Sequence, residues 1–226
     1  MLPASEARLR LREFMPADGA AISAMHRDPR VRQWLVDDAP LDDPRVAALF
    51  IERMQRYYRD HEGLGIWCAE HWVAALSPAQ LRDPEVRAAL SDDALNALAQ
   101  PQPCFIGWFN LMRVADRPDE VEIGCRLLPA AWGSGLVHDG GERLLGHAFG
   151  ALQLPRVWGI CHPRHRSVHH VLRSLGFADD GERPCAGTLS RWFVIEAAAW
   201  PRLIATPRRE RLRAALRGDG IGAAGV

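Results

Sequence analysis

A chain of 226 residues that is 48% hydrophobic can bury one well-filled core without disulfides or metals to hold it together. Its 28 Arg, with no Lys, balance 28 acidic residues, so the formal charge is zero and gives no electrostatic case for binding nucleic acid. No apolar run approaches the ~20 residues that cross a bilayer, and charges interrupt the first stretch, so neither a membrane span nor a signal peptide is expected. Five cysteines, Cys68, Cys104, Cys125, Cys161 and Cys185, lie far apart without a C-x-x-C pair. Their odd number and apolar surroundings predict reduced core thiols in a cytoplasmic protein.

Residues 8–14 set Leu9, Leu11 and the aromatic Phe14 against Arg8, Arg10 and Arg12, the period of two of a half-buried strand. Pro16 to Asp18 open a helix to about Arg27. A second helix fits 42–60, with Val46, Leu49, Phe50, Met54 and Tyr57 as its stripe. Residues 64–72 and 104–112, rich in aromatic and β-branched side chains, read as paired strands. An insertion over 73–103 separates them. Its spacing of Leu81, Val86, Leu90, Leu95 and Leu98 predicts one or two short helices.

Beyond the insertion, 120–128 is a strand, and 135–152 is a helix with Leu136, Leu144, Leu145, Ala148 and Phe149 on its apolar face. A strand over 156–161, a short helix over 167–175 and strands near 177–180 and 189–196 follow. The sum is an α/β domain over 1–200, a mixed central sheet of about seven strands with helices on both faces. From 201 an Arg-rich tail begins, with Thr206 capping a helix and Pro207 in its first turn. Arg208, Arg209, Arg211, Arg213 and Arg217 read as a solvated surface, with docking of an acidic partner as the rival reading.

The segment with the most chemical content is Pro129-Ala-Ala-Trp132-Gly133-Ser134-Gly135-Leu136-Val137, where a strand ends and a helix begins. The first N–H groups of a helix lack intrahelical partners and its dipole favours negative charge, so a phosphorylated ligand is the first expectation. Gly133 and Gly135 would let the backbone approach an oxyanion that a Cβ would hold off. The plainer alternative is a tight strand-to-helix turn and nothing more.

Val121-Glu122-Ile123-Gly124-Cys125-Arg126-Leu127, Trp132-Gly133-Ser134-Gly135, Ala148-Phe149 and Val171-Leu172-Arg173-Ser174-Leu175-Gly176-Phe177, in that order, resemble the GCN5-related N-acetyltransferases (GNAT superfamily). Leu9 to Arg12, Asp28 to Val31 and Cys104 to Gly107 are similar to the ribosomal-protein N-terminal acetyltransferase-like branch. The resemblance covers most of 8–196 and implies the GNAT fold, with the 73–103 insertion between the second and third strands. It implies acetyl-CoA as donor and a primary amine as acceptor, a protein N-terminus or a small molecule. The pantetheine arm would lie along the strand end at Leu127 and Leu128, and the pyrophosphate on the amides of Trp132, Gly133, Ser134, Gly135, Leu136 and Val137.

Glu122 is the candidate general base. Flanked by Val121 and Ile123, it is placed for partial burial, which raises a carboxyl's proton affinity. A salt bridge to Arg126 is the competing role. A protein α-amine, with pKa near ~8, asks less of a base than a lysine amine near ~10.4. The chain departs from the family pattern at several points. His165 and Val168 stand where relatives often carry Asn and Ser that contact the cofactor, Val137 where Gly or Ala is usual, and Leu172 where a Tyr acts as acid. By that resemblance His165 would take the Asn role as a polar contact to CoA, with Arg164 or Arg166 near the phosphates; ordinary surface His and Arg are the equal alternative. These departures leave the proton donor unassigned and keep a non-catalytic CoA-binding scaffold as the alternative.

No metal site is expected. His165 and His169 are four apart at a helix start, but Arg164 and Arg166 would repel a cation. Trp34, Tyr57, Tyr58, Trp67 and Trp108 fall in elements that frame the acceptor cleft of such a fold, with core packing the commoner fate of aromatics so spaced. Three roles are open to the insertion: covering a sheet edge, joining a homodimer interface, or narrowing the acceptor entrance.

Overall fold

Strands β1 (Leu9–Arg12), β2 (Gly65–Val73), β3 (Gln102–Val114), β4 (Arg117–Leu127), β5 (Arg156–Cys161), β6 (Ala178–Cys185) and β7 (Thr188–Glu196) form one sheet in the order β1-β2-β3-β4-β5-β7-β6. The structure, a computed structural model, describes residues 8–35, 39–73 and 75–217. Helices α1 (Gly19–Arg27), α2 (Pro29–Arg32) and α3 (Pro44–Asp60) follow β1, and α4 (Pro78–Arg82), α5 (Pro84–Ala89) and α6 (Asp92–Leu98) fill the span from β2 to β3. Helix α7 (Leu136–Gly150) joins β4 to β5, α8 (Arg166–Ser174) joins β5 to β6, and α9 (Trp200–Ala205) and α10 (Arg208–Arg217) end the described chain.

Every neighbouring pair of strands is antiparallel except β4 and β5, which run parallel because α7 carries the chain back between them. Side chains alternate across the pleat, so β4 sends Val121, Ile123 and Leu127 to one face and Glu122, Gly124 and Arg126 to the other. On the first face they join Leu144, Leu145, Ala148, Phe193 and Ile195 under α7. On the second, Phe14, Ile22, Met25, Ile51, Cys68 and Trp108 form a smaller core beneath α1 and α3.

Helix α7 buries the whole predicted stripe, Leu136, Leu144, Leu145, Ala148 and Phe149. Two glycines bring it close: a Cβ on Gly140 would meet the Phe109 ring at 2.3 Å, and one on Gly141 would meet Leu175 at 2.7 Å. The stripe of α3 holds for Met54, which is buried, and for Val46, Phe50 and Tyr57, which pack partly buried against the cores, and is corrected at Leu49. The helix's buried residues are Ala47, Ile51 and Met54, while Leu49 is 62% exposed. Ala47, Ile51 and Met54 follow the i, i+4, i+7 pattern, and Leu49 lies about 200° around the helix from Ile51.

The insertion holds three helices rather than one or two, each begun by a side chain that accepts from the first turn: Ser77, Asp83 and Ser91. Of the five apolar residues spaced along it, Leu95 is the one in the core. Helices of one to two turns are too short to repeat a face. All five cysteines are free thiols, as expected, but only Cys68 and Cys161 are buried, while Cys185 is half-buried and Cys104 and Cys125 are exposed.

The tail is corrected in part: Arg209, Arg213 and Arg217 are exposed, as a solvated surface requires, and Arg211 is not. Helices α9 and α10 dock on the domain through Leu203 and Ala215, and Arg211 is only 2% exposed. A solvated arginine helix would leave that side chain in water. The expected fading into Gly and Ala falls on 218–226, outside the described residues.

Candidate functional site

Strands β4 and β5 are in register at only two positions, Glu122 with Trp158 and Ile123 with Gly159. Strand β4 then runs on through Gly124, Cys125, Arg126 and Leu127, paired with β3 alone, while Ile160 and Cys161 of β5 pair with β7 alone. The sheet therefore splits at the C-terminal ends of its two parallel strands. Open α/β sheets offer ligands such a crevice. An unpaired strand edge can also add an extended ligand as a further strand.

The turn after β4 opens directly onto that gap. Gly133 and Gly135 have φ of +70° and +83°, a left-handed conformation that glycine adopts at little cost. A Cβ on either would meet nothing within 4 Å, so the space above both is open. Side chains close the turn: Trp132 Nε1 donates to Leu127 O (2.9 Å), and Ser134 Oγ donates to Ala131 O (2.5 Å). Among the described residues no acceptor takes the N–H of Gly133, Ser134, Gly135 or Val137, and that of Leu136 reaches Ser134 Oγ only at 3.4 Å. Gly135 caps α7 without a side chain, so this helix start keeps its donors for something else.

A diphosphate fits this cradle of glycines and unused amides. Leu127 and Leu128, the expected contacts for the pantetheine arm, have main-chain groups already engaged. Leu127 O takes Trp132, while Leu128 donates to Ile106 O (2.8 Å) and accepts from Ala131 N (2.9 Å). The open edge is centred instead on Gly124, Cys125 and Arg126.

On the opposite face of β4, Glu122 is half-buried and makes no hydrogen bond or ion pair among the described residues. Burial, and then the charge of Asp116, lift its pKa to about 7. The competing role is ruled out by geometry: Arg126 donates to His26 Nε2 (3.1 Å) and lies 4.8 Å over the Trp108 ring. Beside Glu122, Gly124 leaves room for Asn110, whose Oδ1 would stand 2.7 Å from any Cβ there. Trp158, opposite Glu122, is oriented by donating Nε1 to Glu120 Oε2 (2.7 Å). The floor between the α1–α3 core and the Trp158–Trp192 pair thus holds an unpaired carboxyl beside an amide.

His165 sits at the start of α8, on the other lip of the gap. Its ring stacks on Trp34 at 4.8 Å and 22°, and its Nδ1 meets Ser167 Oγ at 3.0 Å. Burial lowers its pKa to about 4, so the imidazole is neutral near pH 7. His162 meets the same Trp34 edge-on at 5.6 Å. Leu172 is buried over Gly159 and brings no acid. Among the described residues, no group of three His, Cys, Asp or Glu is placed to hold a metal ion.

Of the framing aromatics, Trp67 and Trp108 are core, Tyr58 donates to Ile66 O and accepts from Phe14 N, and Trp34 alone touches the lip of the gap. Asn110 and Arg8 were missed. Arg8 donates to Ser134 O (2.7 Å), which sets a guanidinium beside the phosphate-sized space. No local signal links positions 126 residues apart.

The family model described as Acetyltransferase (GNAT) domain matches residues 8–178. Among solved structures, RimL, a ribosomal alpha-N-protein acetyltransferase in complex with coenzyme A, is similar at a TM-score of 0.60, with 12% identity over 86% of this chain and 97% of its own. The ribosomal-protein-S5-alanine acetyltransferase of Vibrio fischeri gives 0.59, with 15% identity over 87% and 97%. The spermidine N-acetyltransferase of Vibrio cholerae in complex with CoA and spermine gives 0.58, with 14% identity over 87% and 99%. At these identities the likeness concerns the fold, and the matched seven-stranded sheet and helices are those described above. With the family model spanning most of its length, the chain belongs to the GNAT family of acetyl-CoA-dependent N-acetyltransferases.

Proposed function

We infer that this enzyme acetylates a weakly basic primary amine, foremost the α-amine of a peptide or protein N-terminus, with a small-molecule amine as the second choice. The observation that carries the reading is the continuity of three features: the unpaired β4 edge, the unused amides of Gly133 to Val137, and Glu122 on the far side of the same strand.

Acetyl-CoA supplies the acyl group as a thioester. The amides of Gly133, Ser134, Gly135 and Val137, with Arg8 alongside, would hold the diphosphate, and the edge at Gly124 to Arg126 would align the arm. Glu122 accepts the proton that the amine gives up as it forms the amide bond. A base whose pKa is about 7 suits an α-amine near ~8, which is already partly neutral, better than an amine near ~10.4. Leu172 offers no proton to the leaving thiolate, and with a thiol pKa near ~8.5 water suffices there.

Calorimetry with acetyl-CoA, followed by thiol release over a panel of N-terminal peptides, lysine peptides and polyamines, tests the reading. Release with N-terminal peptides first is the expected result. Preference for spermidine-like amines would move the acceptor class, and binding without release across the panel would favour a CoA-binding scaffold.

A further inference from the structure

Helices α9 and α10 lie beyond residue 178, where the family match ends, yet α10 is tied to the cofactor helix by charge. Arg208 donates to Asp139 Oδ1 (2.7 Å) and grips Glu142 with Nε (3.0 Å) and Nη2 (2.7 Å). The buried Arg211 donates to Glu142 Oε1 (2.6 Å), Ser174 O (3.0 Å) and Thr206 O (3.1 Å). Ser174 also binds His138 of α7: its hydroxyl donates to Val171 O (2.7 Å), so His138 Nε2 donates to Ser174 Oγ (2.8 Å). One residue of α8 thus connects α7 and α10.

We propose that Arg208 and Arg211 are positioning residues for the coenzyme: they neutralise the two carboxylates on the first turns of α7 and fix that helix start, an inference that rests on the cofactor reading of the 132–137 turn. Asp139 and Glu142 are three and six residues past Leu136, about 4.5 Å and 9 Å along the axis. Both fall within the ~8 Å to ~10 Å over which charges act at ordinary salt. Unpaired, they would oppose a diphosphate at the same helix end where the dipole attracts it. Two arginines against two carboxylates leave a net charge of zero and restore the attraction. Buried ion pairs add little net stability, so attachment alone would be served as well by apolar contacts.

The test is CoA binding by calorimetry on the full chain, wild type against Arg208→Gln, Asp139→Asn and the double variant Arg208→Gln/Asp139→Asn. Loss of Arg208 should weaken CoA about twofold to fivefold, less so at high salt, and the double variant, whose Arg211 and Glu142 again sum to zero, should recover wild-type affinity. Asp139→Asn alone should tighten CoA, whereas a purely structural role predicts loosening. That variant decides the matter even if Arg208→Gln misfolds. Equal affinity in Arg208→Gln, no recovery in the double variant, or weaker binding by Asp139→Asn would each overturn the proposal. Wild-type protein that fails to bind CoA would instead remove the cofactor reading beneath it.

Discussion

Strands β4 and β5 run side by side in the same direction, and the turns that follow them are built in opposite ways. After β4 the chain presents main chain: two left-handed glycines, open space above them, and N–H groups with no acceptor among the described residues. After β5 it presents side chains, with His162 and His165 packed on Trp34 from the turn after α2. A main-chain cradle recognises what every coenzyme molecule shares, its phosphate. A side-chain lip recognises particulars.

The same contrast orders the experiments. On the β4 side, Glu122→Gln should reduce turnover about a hundredfold or more, with CoA affinity nearly intact. Equal loss of both would assign the residue to folding. Wild-type kcat/KM should fall about tenfold per pH unit below the Glu122 pKa of about 7, because the protonated carboxyl cannot accept, and the Gln variant should lack that limb.

Next in size is Gly135→Val. It forces a β-branched residue into φ of +83° and fills the open space, so CoA affinity should drop about tenfold or more in a titration. Unchanged affinity would mean that the amides of this turn are not the anion site.

A stability effect of the same carboxyl comes third. Glu122 binds its proton more tightly folded than unfolded, so its contribution is intact below pH 4.5 and is lost as pH rises through about 7. Glu122→Gln removes that loss. At pH 8 the variant should be more stable by about 1–3 kcal/mol, a rise of several degrees in Tm, with no difference at pH 4.

The smallest effect belongs to the β5 side. Trp34→Ala should change KM for the acceptor by a few-fold and leave CoA binding alone, as expected when one aromatic contact worth about 1 kcal/mol is removed. A larger loss in CoA affinity than in acceptor KM would merge the two turns into one site.

The contrast also explains what could be read in advance. The β4 turn and α7 were legible because their signals are local: Gly-x-Gly at a strand-to-helix junction, followed by an apolar stripe that proved wholly buried. Partial burial of Glu122 followed from its neighbours on the strand, but Asp116, which adds to its pKa shift, comes from the preceding turn. The lip was not legible. His165 stacks on Trp34, which comes from the turn after α2, and no periodicity places that ring there. Arg8 at Ser134 and Arg211 beneath α8 are of the same kind, contacts made by long side chains across the tertiary structure. An arginine-rich stretch reads as solvated unless its acidic partners are known, and Asp139 and Glu142 lie some seventy residues earlier.

Two registered pairs are all that join the four-stranded half of the sheet, β1 to β4, to the three-stranded half, β5 to β7. The seam is thus the mechanically weak line of the molecule, bridged outside by helices but short of ladder within. A pantetheine laid along it would act as a suture, supplying from outside the chain the rungs that the protein omits. Substrate binding should then stiffen the whole sheet, and melting temperature should climb with coenzyme concentration.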